Sequence, residues 1–418
     1  MDEEQANIDE YVYEKRDELP PAPDGGLVAW LQVLASHLTM ASSWGFTNSF
    51  GIFQGYFVHS LNKSSSEVSW IGSVQLFFMF FVSMFAGCAA DAGYTRPLVA
   101  CGFAMQLLGV FTASAAKTYW QVMLSQSVCQ GIGCGLYFCP MVALVVSYFE
   151  KKRVVAIAVQ ASGTATGGLI FPAIAERLIS RAGYGWALRS MAFVMLFNAV
   201  VVVTLIRPRL PPRRDGAILE PTAFLELPYL LFAIALFFAF WGSYVGFFYI
   251  RPYAVDIQNA SQDASFQLLL VLNGVGYFGR ILPAIIAQKI GPVNMFVPLT
   301  LISAVLLFCW IGVSSLTGTW VFTAFYGFFG AGVQGIFPAA SAVLADNAHK
   351  LGVRVGMLFS VVGFSALTST PIAGALVSRD NGSYLYAQLY GGVALMLGTA
   401  FTIAARTAKH GVTLRKAM

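Results

Sequence analysis

Long apolar runs repeat along the whole 418-residue chain, and they restrict its fold more than any other feature of the sequence. Each run has at least the roughly 20 residues that an α-helix needs to cross the hydrocarbon core of a bilayer. Only 11% of the residues are charged, about half the fraction of a soluble domain, and the short alternating strands of a barrel are absent. The sequence therefore predicts an all-α membrane protein with twelve transmembrane helices. The apolar runs lie at about 27–56, 68–89, 97–115, 119–149, 155–176, 184–206, 228–250, 264–288, 293–313, 318–345, 355–377 and 384–405.

A polar segment that contains several prolines divides the twelve runs into two sets of six. It covers residues 207–227 and predicts a cytoplasmic linker between an N-terminal six-helix half, 24–206, and a C-terminal six-helix half, 228–406. Residues 1–23 are acidic and polar, which predicts a disordered cytoplasmic tail, and they lack the apolar core of a secretory signal peptide. Residues 407–418 predict a second cytoplasmic tail.

The distribution of Lys and Arg predicts how the chain is oriented in the membrane. If the N-terminus lies inside, 17 of the 25 Lys and Arg residues fall in inner tails and loops, and only 6 fall in outer loops. Because cytoplasmic loops carry an excess of these residues, we expect both termini of a multi-pass cell-membrane protein to be cytoplasmic. The same distribution argues against nucleic-acid binding despite the net charge of +5. Three N-x-S/T sequences fall in predicted outer loops and are candidate glycosylation sites, at Asn62, Asn259 and Asn381.

The two halves carry a weak internal repeat. Glycine, phenylalanine and proline residues of the fourth and fifth runs recur 199 residues later, Trp44-Gly45 recurs with an offset of 197, and Gly93 recurs with an offset of 198. A nearly constant offset across several helices predicts two pseudo-symmetric halves in the same orientation, with a substrate site between them near the bilayer midplane. The pairs with the offset of 199 are Gly131 and Gly330, Gly133 and Gly332, Phe138 and Phe337, and Pro172 and Pro371.

The stretch Tyr148–Gly168, YFEKKRVVAIAVQASGTATGG, joins a basic turn to a helix rich in Ala, Ser, Thr and Gly. A short basic turn between two apolar runs is typical of the cytoplasmic end of a membrane hairpin, which its cations would anchor to the anionic leaflet. Small residues along a membrane helix indicate close helix packing, and we expect a seam for helix movement there. The residues of this prediction are Lys151, Lys152 and Arg153 in the turn and Ser162, Gly163 and Gly167 in the seam.

Three stretches resemble signatures of the monocarboxylate porter family of the major facilitator superfamily, in particular its fungal branch. Asp24-Gly25-Gly26 followed by Trp30 resembles the family's P-D-G-G-x-x-W start of the first helix, with one additional residue before the Trp. The basic turn and small residues of Tyr148–Gly168 resemble the second signature. Gly87, Asp91, Gly93 and Arg96 resemble a degenerate copy of the superfamily loop between helices two and three. The resemblance covers essentially the whole chain and implies the major facilitator fold, with structural and gating roles for Asp24, Gly25, Gly26, Asp91 and Arg96.

Arg280 is the clearest candidate for substrate binding, because a charge inside the membrane is unfavourable and commonly marks function. It lies about eight residues, or roughly 12 Å of helix, from the predicted inner end of the eighth helix. The resemblance implies that an Arg at this place engages a substrate carboxylate, which suits a planar guanidinium; bracing of the helix is the alternative. Animal members of the family have an Asp where this chain has Gly276 and a Lys where it has Asn48. Proton coupling is therefore implied by the resemblance but assigned to no residue.

Polar and aromatic residues of helices one, four, seven and ten complete the predicted substrate site, because these helices line the pore in the superfamily that the chain resembles. For each of them a role in helix packing is the alternative. One cation with amides and many aromatic rings suits a small amphiphilic organic acid or a larger, mostly apolar metabolite. The residues are Asn48, Gln130, Tyr137, Tyr244, Phe248 and Gln334.

Together these patterns predict a secondary active transporter that works by alternating access, as a monomer, on a small organic acid or an amphiphilic metabolite. The resemblance to the fungal branch implies export of a secondary metabolite. The alternatives are a proton-linked permease for monocarboxylate uptake and a transporter-like nutrient sensor, which the short predicted tails disfavour. The sequence shows no catalytic constellation, phosphate-cradling loop, metal-ligand set or cofactor motif, so we expect neither an enzyme nor an ATP-driven pump. The expected partners are a small-molecule substrate and the lipid bilayer.

Overall fold

The computed structural model describes residues 22–211, 220–344 and 351–411, and every regular element in these ranges is a helix. The predicted all-α class is confirmed. Most of the predicted tail over residues 1–23, residues 212–219 of the predicted linker and residues 412–418 of the second tail lie outside the described residues. In the described ranges the chain crosses the molecule twelve times. The crossings are α1 (Gly26–Asn48, continued by Phe50–Ser60), α2 (Ser65–Ala89), α3 (Thr95–Ala113), α4 (Tyr119–Val122, a π-helical turn at Met123–Cys129, and Gln130–Tyr148), α5 (Arg153–Ala182), α6 (Tyr184–Leu205), α7 (Leu227–Asp256), α8 (Gln262–Ile290), α9 (Pro292–Trp310), α10 (Leu316–Leu344), α11 (Leu351–Arg379) and α12 (Leu385–His410).

Ten stretches of the described chain are long and apolar enough to cross a membrane. One of them, Ser66–Ala113, has 48 residues and would be about 70 Å long as one helix, more than twice the hydrocarbon thickness. Gly93 divides it into α2 and α3, because its positive φ of 94° breaks the helical path inside the π-helical turn Ala90–Tyr94. The first crossing, α1, is not among the ten; its residues include Gln32, His37 and Asn48 besides five buried Ser and Thr residues.

The two halves, α1–α6 and α7–α12, meet along two pairs of helices. Helix α2 packs along α11, and α5 packs along α8. The described chain begins and ends on the same face of the molecule, which we call the terminal face. The turn between α4 and α5 and the end of α8 lie on that face, where Gln288 Nε2 donates to the carbonyl oxygen of Lys151. The inter-half contacts therefore extend to the terminal face.

The predicted seam of small residues on α5 packs against α1, within the N-terminal half. A Cβ added at Gly163 would lie 2.1 Å from the carbonyl oxygen of His37, and one added at Gly167 would lie 2.2 Å from that of Ala41. Such distances are far below van der Waals contact, so the two backbones approach as closely as glycine permits. Ser162 is buried on the same helix. The seam thus joins two helices of one half.

Both described ends of the linker are tied to the half that they adjoin. Arg96 at the start of α3 donates from Nε and Nη2 to the carbonyl oxygen of Ile206, at 3.1 and 2.9 Å. At the other end, Arg354 of α11 forms ion pairs with Glu220 and Glu226, which flank a 3-10 helix. Arg96, a predicted gating residue, therefore holds the end of the first half in place.

Candidate functional site

A small cavity with a volume of about 30 Å³ lies between the two halves. Its wall is built from α1, α4 and α5 of the N-terminal half and from α7, α8 and α10 of the C-terminal half. Ligand pockets usually offer roughly 300–1,000 Å³, so a metabolite would fill this much smaller cavity only after the helices move apart. The residues around it are Met40, Trp44, Phe138, Val142, Ile157, Gln160, Ala161, Thr164, Phe240, Arg280, Gln334, Phe337 and Pro338.

Arg280 is the one charged residue among those that line this cavity, and its residue surface is 2% exposed. Its Nη1 donates to the carbonyl oxygen of Gly276 at 3.1 Å, and its Nη2 donates to Gln334 Oε1 at 2.9 Å. Within the described residues no carboxylate lies within ion-pair distance of it. A guanidinium carries five N–H donors, so most of its donor capacity and all of its charge remain uncompensated by the described residues.

Two glycines make room for the guanidinium. A Cβ added at Gly276 would lie 3.0 Å from Arg280 Nη1, and one added at Gly335 would lie 3.1 Å from Arg280 Cβ and Cγ. Gly335 lets α10 pack directly on the aliphatic part of the Arg280 side chain. Gly276, the position at which animal members of the resembling family have an Asp, lets the guanidinium fold back over its own helix.

The N-terminal half contributes a hydrogen-bond acceptor to the same cavity. Gln160 of α5 is 2% exposed, and its Oε1 is buried without a partner in the described structure. Thr164 lies one turn further along the same face. A buried amide oxygen without a donor is unfavourable, so a ligand or water that donates a hydrogen bond would be stabilised here. The cavity therefore offers a cation from one half and an acceptor from the other.

The rest of the wall is apolar, and four of its nine residues are aromatic. Trp44 and Phe138 come from the N-terminal half, with ring centroids 6.4 Å apart, and Phe240 and Phe337 come from the C-terminal half, with centroids 4.8 Å apart. Rings of this kind provide large apolar contact areas with few rotatable bonds. The arrangement can accommodate an amphiphilic anion.

The structure brings two of the seven predicted substrate residues, Arg280 and Gln334, together in this cavity. Asn48 lies elsewhere, between α1 and α8, where its Nδ2 donates to Asn273 Oδ1 at 3.0 Å. Tyr244 packs between Phe240 and Phe248, and Phe248 lines a separate small space.

Gln130 and Tyr137 lie inside the N-terminal half. The Tyr137 hydroxyl donates to Gln106 Oε1 at 2.9 Å, and a Cβ added at Gly109 of α3 would lie 3.1 Å from Gln130 Cβ. Both residues therefore face α3 across from the cavity. Gln160 and the four aromatic residues were absent from the predicted site; a polar residue three and seven positions before Gly163 and Gly167, and so on the same packed side of α5, is the signal that could have revealed Gln160.

The two predicted family signatures contact each other on the terminal face. Asp24 Oδ1 accepts hydrogen bonds from the backbone N–H groups of Glu150, Lys151 and Lys152, at 2.7, 2.8 and 3.4 Å. Gly26 allows the sharp turn into α1 with a φ of 83°, next to Gly25. Arg153 Nε donates to the carbonyl oxygen of Phe149 at 3.1 Å. Asp91 lies in the π-helical turn between α2 and α3.

The three sequon asparagines lie in turns on the face opposite the terminal face. Asn62, Asn259 and Asn381 have φ values of 50°, 52° and 52°, a left-handed conformation that Asn adopts more readily than most residues. In two of the turns the sequon serine is the N-cap of the next helix: Ser64 accepts from the Glu67 N–H, and Ser261 accepts from the Ala264 N–H. Turn and cap geometry therefore accounts for these N-x-S patterns, while their glycosylation stays a prediction.

Comparison with known proteins identifies a family and individual proteins that are similar to this chain. The chain matches the Major Facilitator Superfamily over residues 36–370. It is 41% identical over 400 residues to an MFS-type transporter of Gibberella zeae, covering 95% of this chain and 91% of the relative. It is 34% identical over 395 residues to the aspyridones efflux protein of Emericella nidulans (94% and 80% covered) and 33% identical over 397 residues to the fujikurins efflux protein of Gibberella fujikuroi (93% and 84% covered).

A solved structure, that of the human organic anion transporter MFSD10 (TETRAN), has a similar fold. The TM-score is 0.68, the match covers 90% of this chain and 98% of that chain, and 14% of the residues are identical. The predicted superfamily and fold are thereby confirmed, and the monocarboxylate porter subfamily stays a prediction. With its two six-helix halves around a central cavity and its transporter relatives, this chain belongs to the Major Facilitator Superfamily.

Proposed function

We propose that this chain is a secondary transporter of the monocarboxylate-porter type that exports an acidic, amphiphilic metabolite, with Arg280 holding the anionic group. The observation that carries the proposal is the buried guanidinium at the inter-half cavity without a carboxylate partner in the described structure. Burial of an unpaired charge is strongly unfavourable. An anionic substrate would remove that penalty, and Arg binds carboxylates through two parallel hydrogen bonds.

The direction of transport is proposed from the relatives. Two of them are named as efflux proteins for aspyridones and fujikurins, and the aromatic wall suits a substrate larger than a short-chain acid. The contact between Asp24 and the α4–α5 turn supports membership of the monocarboxylate porter family, because it makes one structural unit of the two signature stretches.

We propose that the terminal face is cytoplasmic and that the protein acts in the cell membrane, since Lys and Arg are concentrated in the loops of that face. The halves touch on both sides of the cavity, through Gln288 and Lys151 on the terminal face and through Arg251 and Glu176 towards the other. If the two halves separated at one side at a time, the cavity would open to each side of the membrane in turn, as secondary transport requires. A proton gradient is the proposed energy source.

The second candidate is uptake of a small monocarboxylate, which the same buried Arg280 could hold. Transport by the purified chain in liposomes, with 2-naphthoate and lactate as probes, separates the two functions. We expect exchange of 2-naphthoate to be at least tenfold faster than exchange of lactate. Arg280→Ala should reduce the rate of 2-naphthoate exchange at least tenfold. Arg280→Lys should keep only part of the wild-type rate, because an ammonium lacks the planar pair of donors. A pH gradient imposed across the liposomes tests proton coupling.

Arg189→Ala provides the matched control. Arg189 lies on α6, where its Nε donates to Ser114 Oγ away from the cavity, so its removal should leave the 2-naphthoate rate within about twofold of the wild type. Near-normal transport by folded Arg280→Ala protein would refute the proposed role of Arg280. Lactate transport with no 2-naphthoate transport would instead support the uptake function.

A further inference from the structure

The polar and aromatic walls of the cavity lie towards different helix pairs of the inter-half boundary. Arg280 and Gln160 belong to α8 and α5, which form one of the two helix pairs that join the halves. At the other pair, α2 and α11, the buried rings of Phe80 and Phe359 pack behind Phe138 and Phe337, which line the cavity. The cavity is thus polar towards one pair and aromatic towards the other.

The internal repeat shows that the α5–α8 pair and the α2–α11 pair carry different side chains at equivalent positions. With the offset of 199 residues, Gln160 of α5 corresponds to Phe359 of α11; with offsets of 197 and 198, Arg280 of α8 corresponds to Ser83 and Val82 of α2. The equivalent of the polar pair therefore has neither the charge nor the amide. The halves are symmetric in their backbone arrangement and asymmetric in the chemistry that they present to a substrate.

Ring contacts cross from one half to the other at the aromatic side. The Phe80 ring centroid lies 6.4 Å from that of Phe337 and 6.2 Å from that of Phe359, and the centroids of Phe138 and Phe359 are 5.6 Å apart. Each of these pairs joins a ring of the first half to a ring of the second. When the halves separate, these contacts must open, and a flat ring system could take the place of a lost ring neighbour.

We propose that the substrate is a flat, ring-containing anion that binds across the inter-half boundary, with its acidic group at Arg280 and its ring system between Phe80 and Phe138 of one half and Phe337 and Phe359 of the other. The proposal rests on the proposed function and specifies its substrate class. Gln160 Oε1 would accept a hydrogen bond from a hydroxyl or N–H group near the acidic end. The ring system restores aromatic contact between the halves around the bound substrate, and an aliphatic acid of equal length would not.

The experiment measures dissociation constants of the full-length chain in lipid nanodiscs by calorimetry for four probes: benzoate, 4-biphenylcarboxylate, benzyl alcohol and 4-biphenylmethanol. The set varies the second ring and the charge independently. For the wild type we expect the second ring to tighten binding at least tenfold in both the charged and the neutral pair. We call the ratio of the one-ring to the two-ring dissociation constant the ring advantage, and the ratio of the neutral to the charged dissociation constant the charge advantage. Phe359→Ala should reduce the ring advantage below threefold. Arg280→Gln should remove the charge advantage while leaving the ring advantage intact.

Phe364→Ala is the matched control, since Phe364 lies on the same helix and pairs with Phe77 and Phe81 of α2 away from the cavity, with half of its surface exposed. It should keep the full ring advantage. If Phe359→Ala does not fold, Phe359→Leu retains the side-chain volume without the ring and should show the same loss.

An undiminished ring advantage in the Phe359 variants, or an equal loss in Phe364→Ala, would overturn the inference while leaving the proposed function in place. Loss of the ring advantage in the Phe359 variants with an unchanged charge advantage in Arg280→Gln would instead contradict the proposed function. The neutral probes keep the two results separate, because their ring advantage does not depend on Arg280.

Discussion

Asp24 connects two segments that lie 126–128 residues apart in the chain. The three N–H groups that it accepts from belong to the turn between α4 and α5, which ends where α5 begins at Arg153. The carboxylate therefore ties this turn to the segment that enters α1. Desolvation raises the pKa of Asp24, the hydrogen bonds from Glu150, Lys151 and Lys152 lower it, and the resulting pKa lies below the ordinary value.

Asp24→Asn tests the contribution of this carboxylate to stability, since Asn tolerates the φ of 51° found at position 24. We expect a lower Tm in nanodiscs at pH 7, because the amide is a weaker acceptor than the carboxylate. The folded-state pKa is depressed, so the stabilisation is fully present above the unfolded pKa of about 3.9. It is lost as the pH falls through the folded value.

The measurement is the Tm difference between the wild type and Asp24→Asn from pH 7 down to pH 3, and that difference should shrink below about pH 4. Glu150→Gln removes a neighbouring carboxylate whose side chain makes none of these bonds, and it should change Tm little. A difference that stays constant across this range would show that the charge of Asp24 does not hold the turn.

Arg280 shows how far single residues could be interpreted from the sequence. Its depth in an apolar run predicted burial and a role in binding, because charge is scarce there. Its partners could not be predicted: Gln334 lies 54 positions away on another helix, and only helix packing decides which of many polar residues faces the guanidinium. For the same reason Gln130 and Tyr137 were expected at the cavity and lie against α3.

At the scale of helices, glycine determines how closely α1 and α5 approach. Gly163→Ala would place a methyl group 2.1 Å from the carbonyl oxygen of His37, so the helices must separate; overpacking of this kind destabilises by about 1–3 kcal/mol. Gly274→Ala is the matched control on α8, since no neighbouring atom lies within 4 Å of the added Cβ.

We expect a lower Tm and a lower yield of folded protein for Gly163→Ala, and an unchanged or slightly higher Tm for Gly274→Ala, because Ala favours a helix over Gly by about 1 kcal/mol. Thermal unfolding in nanodiscs measures both. Equal behaviour of the two variants would mean that α1 can move away from α5 without loss of stability.

At the scale of the molecule, Glu176 of α5 and Arg251 of α7 form an ion pair between the halves, towards the face opposite the terminal face. Their N–O distance is 3.3 Å, and Arg251 also donates to Ser265 of α8. Nearby, Ser73 of α2 and Thr370 of α11 share a hydrogen bond across the same boundary. These contacts would have to break for that face to open, and we expect them to act as a gate.

Glu176→Gln should favour the conformation open at that face. Loss of roughly 1 kcal/mol from one pair would change the ratio of open to closed molecules about fivefold. Nitroxide labels at the exposed residues Ser180 and Ser314, introduced after replacement of the exposed native cysteines, would report this as a population at longer distance in pulsed electron paramagnetic resonance.

Glu67→Gln is the control for this gate, because Glu67 pairs with Lys63 on the same face but within one half. It should leave the distance distribution unchanged, and the exchanged pair Glu176→Arg with Arg251→Glu should restore the wild-type distribution. Identical distributions for wild type and Glu176→Gln would mean that other contacts hold this face closed.

The sequence by itself determined the helical class, the division into two halves of six and the repeat between them, because the bilayer imposes its length and polarity on every crossing segment. It also marked Arg280, since a buried charge is conspicuous against an apolar background. The tertiary structure alone decided which side chains share the cavity, that the glycine seam lies within one half, and that Asp24 binds the turn before α5. Those features depend on how helices that are distant in the chain are rotated and which of them touch. In a membrane the lipid-facing and protein-facing sides of a helix are both apolar. The sequence pattern therefore carries little information about the rotation of a helix.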